Sequence, residues 1–266
     1  MIENQNITTL LNIPNWIIPV IFYASILYIC YKYIYYLTKE NKLEEEIISI
    51  INHTFRTPLT SIIWYTKELE KDIPKNEKFQ YLQNINNSTE KVLSIVDILV
   101  GIKNIKNTSG YKFEAISIRE IVEKSIKKYA DKINKKNLSL NVSLFKDIPL
   151  LTVDLNKITF VIDSIIENAI FYTKPHGEIL VDCISTNDKL TLLISDTGIG
   201  LSSKDKMMIF SKFYRGKQAK LMNTDGMGLK LYLSKQIIKR HDGNITARSN
   251  GVNEGATFFI ELPFHK

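Results

Sequence analysis

Two pairs of glycines in the second half of the chain lie where a backbone could approach a ligand closely. Gly198 and Gly200 follow Asp196 at the end of an apolar run, and Gly226 and Gly228 precede an apolar-periodic helix. The first pair would let the backbone approach a flat ring, with the Asp196 carboxylate accepting from an exocyclic amino group. Beyond the second pair, the first backbone N–H groups of the helix would face a phosphate. Each pair alone fits a tight turn equally well.

The first half of the chain contains one candidate nucleophile. His53 lies in a helix-period pattern, and Thr57, four residues later, shares its face. Pro58 follows inside the same pattern, where it removes one backbone hydrogen bond and kinks the helix. Taken alone, a histidine of this kind is more often a solvated surface residue than a catalytic one.

A helical hairpin must position His53. Residues 40–105 repeat apolar positions every three or four residues in two stretches, with a turn at 72–76 between them. Two such helices cannot bury a broad apolar stripe alone, so we expect two chains to dimerise into a four-helix bundle. The repeating positions are Ile48, Ile51, Phe55, Leu59, Ile62, Leu69, Leu82, Ile85, Thr89, Val92, Val96 and Leu99.

A mixed α/β domain must position the glycines. Ser117 and Glu120 have the spacing of a capping box, and Asp154 is a candidate N-cap for a helix running towards Tyr172. Alternating apolar residues predict a strand hairpin over 181–194 and a closing strand pair over 245–260. The glycine segments then lie at a strand end and at a helix start.

Composition excludes several classes of protein. The apolar fraction of 44% and the charged fraction of 24% are those of a folded chain and exclude a wholly disordered one. The net charge is +7, but the lysines are spread along the chain, so we expect no direct nucleic-acid binding. Cys30 and Cys183 are far apart in sequence and have no metal-ligand spacing, which predicts buried, reduced thiols.

An apolar segment near the N-terminus predicts one membrane crossing. No charged residue lies between Glu3 and Lys32, and residues 16–37 are almost wholly apolar. About 20 such residues span a bilayer, and Trp16 suits the interface. A secretory signal peptide and a buried core helix are the alternatives, although no basic segment precedes the run and no small-residue cleavage site follows it.

The charges around this segment predict its orientation. No lysine or arginine precedes it, whereas Lys32, Lys39 and Lys42 occur within its end and after it. The positive-inside rule therefore predicts a single-pass cell-membrane protein with residues 1–15 outside and the rest in the cytoplasm. The lipid bilayer is then one of its partners.

Five short segments occur in a fixed order over residues 45–266. They run from His53 to Thr60, Glu167 to Thr173, Asp196 to Gly200, Phe210 to Gly216 and Gly226 to Leu231. In this order and at this spacing they resemble the H, N, first glycine, F and second glycine boxes of bacterial two-component sensor histidine kinases. The resemblance implies an α plus α/β protein, with a dimerisation and phosphotransfer hairpin over 38–107. It also implies a Bergerat-type α/β sandwich that binds ATP over 108–266.

The resemblance implies roles for individual residues. His53 would take the γ-phosphoryl group of ATP and pass it to an aspartate on a response regulator receiver domain. Thr57 matches the position that orients water when the regulator is dephosphorylated, and Asn168 matches the Mg²⁺-binding asparagine. The implied ATP-binding set is Asn168, Tyr172, Asp196, Gly198, Gly200, Phe213, Arg215, Gly226, Gly228 and Leu229. Small homodimeric kinases of this design are often coupled to a membrane transporter, a partner that the resemblance permits.

Four positions depart from the family pattern. Thr54 stands where an acidic residue usually follows the histidine, and Ser164 replaces the first asparagine of the N box. Phe171 replaces a phosphate-contacting lysine, for which Lys174 could substitute. Lys230 replaces the third glycine of the second glycine box, where it could restore positive charge near the phosphates or obstruct them.

These departures leave two functions open for the chain. One is an active kinase that also dephosphorylates its regulator, and the other is a kinase-impaired ATP-binding phosphatase or scaffold. Loss of a positioned acid-base group can cost about 10² to 10⁴ in rate. A gyrase-like ATPase is disfavoured, because Ser164 stands where such enzymes need a glutamate to activate water. A membrane-anchored coiled-coil adaptor would bind no nucleotide.

Overall fold

The computed structural model describes residues 25, 27, 28, 31, 32, 54–71, 74–104, 110–144, 148–222 and 226–264. The chain divides into two units, Met1–His53 and Thr54–Lys266. In the first unit the described residues are helical, and Leu27, Tyr28 and Tyr31 are exposed. His53, residues 1–15 and most of the segment 16–37 lie outside the described residues. None of the helices within the described ranges combines the length and the apolar character that a bilayer crossing needs.

The predicted helical hairpin is present in the second unit. Helix α1 covers residues 54–69, and helix α2 is Lys75–Asn104. The rings of Trp64 and Tyr65 on α1 lie 6.0 and 5.4 Å from the ring of Tyr81 on α2, which brings the helices together near the turn. Ser88, Ile95 and Ile98 are buried at helical spacing along α2.

The hairpin leaves much of its apolar surface uncovered. Leu59 on α1 is 44% exposed, and Leu82 and Val96 on α2 are 51% and 41% exposed. These three belong to the stripe that the sequence periodicity predicts. Further exposed apolar residues of the two helices are Ile63, Trp64, Phe79, Leu93 and Val100. One hairpin therefore does not bury its own apolar face.

An α/β domain follows the hairpin. Its elements are β1 (Phe113–Ile116), α3 (Ile118–Lys135), β2 (Ser139–Ser143), β3 (Leu151–Asp154), α4 (Leu155–Tyr172), β4 (Glu178–Ser185), β5 (Lys189–Asp196), α5 (Ser203–Met208), α6 (Lys217–Met222), α7 (Lys230–Arg240), β6 (Asn244–Arg248) and β7 (Ala256–Pro263). The main sheet has the order β2-β4-β5-β7-β6, and β1 pairs with β3 separately. Only β2 and β4 are parallel among these pairs of described strands.

The two predicted strand pairs are confirmed, and the structure gives their register. In the hairpin of β4 and β5, Val181 faces Ile194 and Cys183 faces Leu192. In the closing pair, Ile245 of β6 faces Ile260 of β7. Every second side chain along β5 is buried, because successive residues of a strand point to opposite faces. Helix α4 packs against β5 and lies between α3 and α7.

Helix starts differ in how they are capped. The Asp154 carboxylate accepts from the Lys157 N–H at 3.0 Å and from the Lys112 N–H at 2.8 Å, which confirms Asp154 as the N-cap of α4. Ser117 precedes α3 as predicted, but its side chain makes no capping hydrogen bond, so the predicted capping box is wrong there.

A buried histidine joins the start of α4 to the end of α7. The Asp154 N–H donates to Nε2 of His241 at 3.0 Å, and Nδ1 of His241 lies 2.8 Å from the Ile237 carbonyl oxygen. Since Nε2 accepts, the proton is on Nδ1, which donates to Ile237. The His241 side chain is 1% exposed, so both backbone groups depend on this imidazole rather than on water.

We predict that His241→Phe lowers the free energy of unfolding of this domain by about 2–4 kcal/mol, because two buried backbone groups lose their partners. His241→Gln can keep one of the two hydrogen bonds and should lose less. Calorimetric unfolding of both variants checks the prediction. Equal stability of wild type and His241→Phe would contradict the role assigned to the imidazole.

Candidate nucleotide-binding site

The C-terminal turns of α4 carry the N box. Asn168 is half-buried one turn before Tyr172, and Thr173 closes the helix with its hydroxyl donating to the Ala169 carbonyl at 2.6 Å. The hydroxyl of Ser164 donates to the Phe160 carbonyl of the same helix at 2.7 Å. Ser164 therefore offers no acid-base group to a ligand.

Lys136 holds the end of α4 in place. Its ammonium donates to the carbonyl oxygens of Ile170, Phe171 and Thr173, at 2.8, 2.8 and 3.0 Å. These are carbonyls that a helix end leaves without partners. Partial burial lowers the pKa of Lys136. Sequence reasoning missed this residue, because its partners lie 34 to 37 positions away and no local pattern marks it.

Asp196 ends β5 as a buried carboxylate. The Gly198 N–H donates to its Oδ1 at 2.8 Å, and the Ala256 N–H is a second backbone donor. Burial raises the pKa of Asp196 to about 6, against the opposing effect of these two donors. Asp196 is only 9% exposed. It is a hydrogen-bond acceptor that the fold keeps in place at an energetic cost.

The glycines of the first box have different neighbours. A Cβ on Gly198 would lie 2.6 Å from the carbonyl oxygen of Tyr172, so the end of α4 and the segment after β5 meet without a side chain between them. Gly200 has a φ of +64°, and a Cβ there would overlap the Gly251 carbonyl oxygen. Gly200 thus makes room for the loop at 251–254.

The F box packs against the second glycine box. Gly228 has a φ of +66°, and its Cβ would lie 2.7 Å from the Tyr214 carbonyl oxygen and 2.8 Å from the Phe213 carbonyl carbon. Phe213 itself has a φ of +60°. A Cβ on Gly226 would lie 3.1 Å from the guanidinium of Arg215. Gly228 is therefore required by its backbone neighbours, whereas a Cβ at 226 would need only a small shift of the flexible Arg215 side chain.

Arg215 connects this region to α4. Its guanidinium donates to the Ala219 carbonyl at 3.0 Å and forms a hydrogen bond with the Tyr172 side chain. Burial raises the pKa of Tyr172, and the nearby Arg215 charge opposes that rise. The hydroxyl of Tyr172 and the guanidinium of Arg215 thus lie at one place between the N box and the F box.

Asp205 caps the start of helix α5, which lies in the segment between the two glycine boxes. It accepts from the Ser202 N–H at 3.0 Å, the Ser202 hydroxyl at 2.6 Å and the Tyr214 hydroxyl at 2.8 Å. A Cβ on Gly216 would lie 2.6 Å from its Oδ1. Sequence reasoning missed this helix start, although Ser202 and Asp205 have the spacing of a capping box and could have revealed it.

Helix α7 begins at the second glycine box. Leu229 is its buried N-cap residue and provides no side-chain cap for the first N–H groups. The first helical residue, Lys230, places its Nζ 2.5 Å from Oε2 of Glu167, the residue before Asn168. The start of α7 and the N box are therefore joined by an ion pair.

The structure brings most of the predicted site residues into one domain. A continuous series of neighbours runs from Asp196 through Gly198, Tyr172 and Arg215 to the second glycine box at the start of α7. A buried acceptor at one end and an uncapped helix N-terminus at the other suit a base and a polyphosphate. Thr57 lies elsewhere, as an exposed residue of α1.

Two known domain families match the chain. Residues 43–104 match the His Kinase A (phospho-acceptor) domain. Residues 153–266 match the family described as histidine kinase-, DNA gyrase B- and HSP90-like ATPases. The first match covers the hairpin, and the second covers the elements from β3 onwards.

Two curated relatives of the chain are sensor proteins. Sensor protein kinase WalK of Staphylococcus aureus is 31% identical over 239 residues, which is 85% of this chain and 56% of that protein. Sensor protein RprX of Bacteroides fragilis is 28% identical over 262 residues, which is 95% of this chain and 50% of that protein. The chain thus spans about half the length of these relatives.

Solved structures share the fold. Histidine kinase AdeS of Acinetobacter baumannii aligns over 80% of this chain and 98% of its own, with a TM-score of 0.62 and 21% identity. Histidine kinase ThkA in complex with response regulator protein TrrA aligns over 83% of this chain and 61% of its own, with a TM-score of 0.61 and 21% identity. A phosphoacceptor hairpin followed by an ATPase domain of this type, with sensor-kinase relatives over most of its length, shows that the chain belongs to the two-component sensor histidine kinases.

Proposed function

We propose that this chain is a sensor histidine kinase that phosphorylates itself on His53 with ATP and then phosphorylates a response regulator. The observation that carries the proposal is the series of contacts from the buried Asp196 carboxylate to the uncapped start of α7. Asp196 would accept from the adenine amino group, and the N–H groups of α7 would face the phosphates.

The chemistry requires two transfers of one phosphoryl group. A nitrogen of the His53 imidazole attacks the γ-phosphorus, the bond from that phosphorus to the ADP oxygen breaks, and the imidazole proton is released. An aspartate oxygen of the regulator then attacks the same phosphorus, and the phosphorus–nitrogen bond breaks. Such transfers depend mainly on positioning and on stabilisation of charge.

Mg²⁺ fits the proposed site through Asn168. Among the residues that the structure describes, no group of three His, Cys, Asp or Glu side chains could hold a metal. The half-buried Asn168 carboxamide is an oxygen donor of the kind that Mg²⁺ accepts, and phosphate oxygens would complete its shell. When bound, the ion would neutralise charge on the transferring phosphoryl group.

The exposed apolar face of the hairpin supports a homodimeric state. Leu82 and Val96, 51% and 41% exposed, lie on the stripe that a second hairpin would cover in a four-helix bundle. The receiver domain of a response regulator is the proposed second partner. The solved complex of the structural relative ThkA with the response regulator TrrA supports this assignment.

We further propose a membrane anchor over residues 16–37, with residues 1–15 outside and the catalytic part in the cytoplasm. The uncharged run before Lys32 and the lysines that follow it support this arrangement. The names of the relatives WalK and RprX, both sensor proteins, support a sensory role.

One observation favours a kinase-impaired phosphatase or scaffold as the second candidate. The residue after His53 is Thr54, which is 8% exposed and carries no charge. A hydroxyl cannot stabilise a developing imidazolium as a carboxylate does. Both candidates use the same ATP site and differ only in the rate of the first transfer.

We predict that the full chain, given γ-labelled ATP and Mg²⁺, acquires an acid-labile label that His53→Gln abolishes. Thr54→Asp should raise the rate of labelling by about 10- to 100-fold, because it restores a carboxylate beside the imidazole. Absence of label in wild type together with label in Thr54→Asp would favour the second candidate. Label that survives in His53→Gln would contradict the assigned phosphoacceptor.

We predict that Asp196→Asn removes ATP binding and stabilises the ATP-binding domain above pH 6. The folded pKa of Asp196 is raised to about 6, so the ionised form opposes folding. Stability of the wild type falls as the pH rises from about 4 through 6, and the loss is complete above that range. The asparagine variant carries no such charge, so its free energy of unfolding should exceed that of the wild type by about 1–3 kcal/mol at pH 7.5. The difference should disappear near pH 4. Calorimetry and ATP titration at the two pH values check both parts, and an ATP affinity unchanged in Asp196→Asn would contradict the site.

We predict that the double variant Leu82→Glu, Val96→Glu turns the dimer into a monomer, because two carboxylates would be buried in the bundle without partners. Light scattering after size-exclusion chromatography measures the mass. Lys91→Glu, at an exposed polar position of the same helix, is the matched control and should stay dimeric. A dimer that survives the double variant would exclude this face as the interface.

A further inference from the structure

The cations around the N box differ in position from the family pattern. Phe171 stands where the family has a phosphate-contacting lysine, and Lys230 stands where it has the third glycine of the second glycine box. The structure joins these departures, because the Lys230 ammonium lies 2.5 Å from the carboxylate of Glu167 in the N box. The two side chains are 34% and 33% exposed, so both remain within reach of a ligand.

Helix geometry shows what this ammonium replaces. Residues 167 and 171 are four apart in α4, so their side chains are neighbours on one face. A lysine at 171 could bring its ammonium to the Glu167 carboxylate from within α4. Lys230 brings an ammonium to that carboxylate from α7 instead. The positive charge beside the N box is therefore kept, although the residue that supplies it has changed.

The other nearby lysines are poorer candidates for a phosphate contact. Lys136 lies 5.7 Å from the Phe171 ring, but its three donors are used by carbonyls at the end of α4. Lys174, the substitute that the sequence suggested, is an exposed residue beyond the last residue of α4. Lys230 alone among these three is the first residue of the helix whose N–H groups face the proposed phosphates.

The position of Lys230 is unfavourable unless an anion is close by. A cation in the first turn of a helix opposes the helix dipole. Glu167 supplies the anion in the present structure. Its burial would raise its pKa, but the charge and hydrogen bond of Lys230, with the charges of Lys132 and Lys128, produce a net lowering. Lys132 lies 3.6 Å from the second oxygen of Glu167 and would remain beside it if Lys230 moved away.

We propose that Lys230 is the cation that contacts the terminal phosphates of ATP in this chain, and that Glu167 holds it beside Asn168 until a triphosphate binds. The inference rests on the proposed ATP site. It makes Lys230 a residue that discriminates the triphosphate from the diphosphate, in place of the lysine absent at 171. The sequence left open whether Lys230 restores positive charge near the phosphates or obstructs them, and the proposal assigns it the first role.

Nucleotide binding to the full chain tests this assignment without requiring kinase activity. The probes are AMPPNP and ADP, each with Mg²⁺, measured by calorimetric titration. Lys230→Met keeps the aliphatic stem and removes the charge, and it should weaken AMPPNP binding about 10- to 100-fold while changing ADP binding much less. Adding Phe171→Lys to Lys230→Met should restore most of the AMPPNP affinity, because it returns an ammonium to the same face of α4.

Two further variants separate a phosphate contact from a structural link. Glu167→Gln removes the resting partner of Lys230 and should leave AMPPNP affinity equal or higher. If the ion pair only supported the structure of the site, Glu167→Gln would instead weaken AMPPNP binding as Lys230→Met does. Lys189→Met is the matched control, because Lys189 forms a similar ion pair with Glu261, at 2.5 Å, between strands β5 and β7. It should change neither affinity.

An AMPPNP-to-ADP affinity ratio that is unchanged in Lys230→Met would overturn the assignment while leaving the ATP site in place. A double variant with Phe171→Lys that stays as weak as Lys230→Met would also overturn it. Failure of the wild type to bind either nucleotide would instead contradict the proposed function itself. The two kinds of failure are therefore distinguishable in one series of titrations.

Discussion

The proposed nucleotide site depends on the close approach of α4 to the segment that follows β5. The Tyr172 carbonyl oxygen lies 2.6 Å from the place where a side chain at 198 would begin, so only glycine permits this approach. It sets the distance between the Asp196 carboxylate and the N box on the last turns of α4. Lys136 and Arg215 then hold that end of the helix, one through carbonyl groups and the other through the Tyr172 side chain. Asn168, Tyr172 and Glu167 take their positions from the same helix.

Charge is distributed around this framework in a way that the proposed substrate explains. Burial disfavours the charge of Asp196, and Lys230 lies at a helix start where the dipole disfavours a cation. A ligand with an amino group at one end and phosphates at the other would give the Asp196 carboxylate a donor and would give Lys230 the anion that Glu167 supplies in its absence. The two residues lie at opposite ends of the series of contacts that defines the site.

Much of this arrangement was predictable from sequence, because its causes are local. Periodicity predicted the hairpin and both strand pairs, and Asp154 was identified as a cap from its type and place. The capping box at Ser117 was wrong, since correct spacing does not ensure that the side chain bonds to the backbone. The partner of Gly200 could not be predicted either, because the loop at 251–254 that it meets is about 50 residues away in sequence.

The unpredicted features are contacts between distant segments. His241 bonds to Asp154, and Lys136 bonds to the end of α4, without a pattern that marks either residue. Lys230 could be recognised as a departure, but its pairing with Glu167 required the folded chain.

A crystal structure of the chain with AMPPNP and Mg²⁺ tests the proposed nucleotide site most directly. We expect the adenine amino group within hydrogen-bond distance of the Asp196 carboxylate and the phosphates at the N-terminus of α7. A nucleotide bound elsewhere, or bound with its base away from Asp196, would contradict this site.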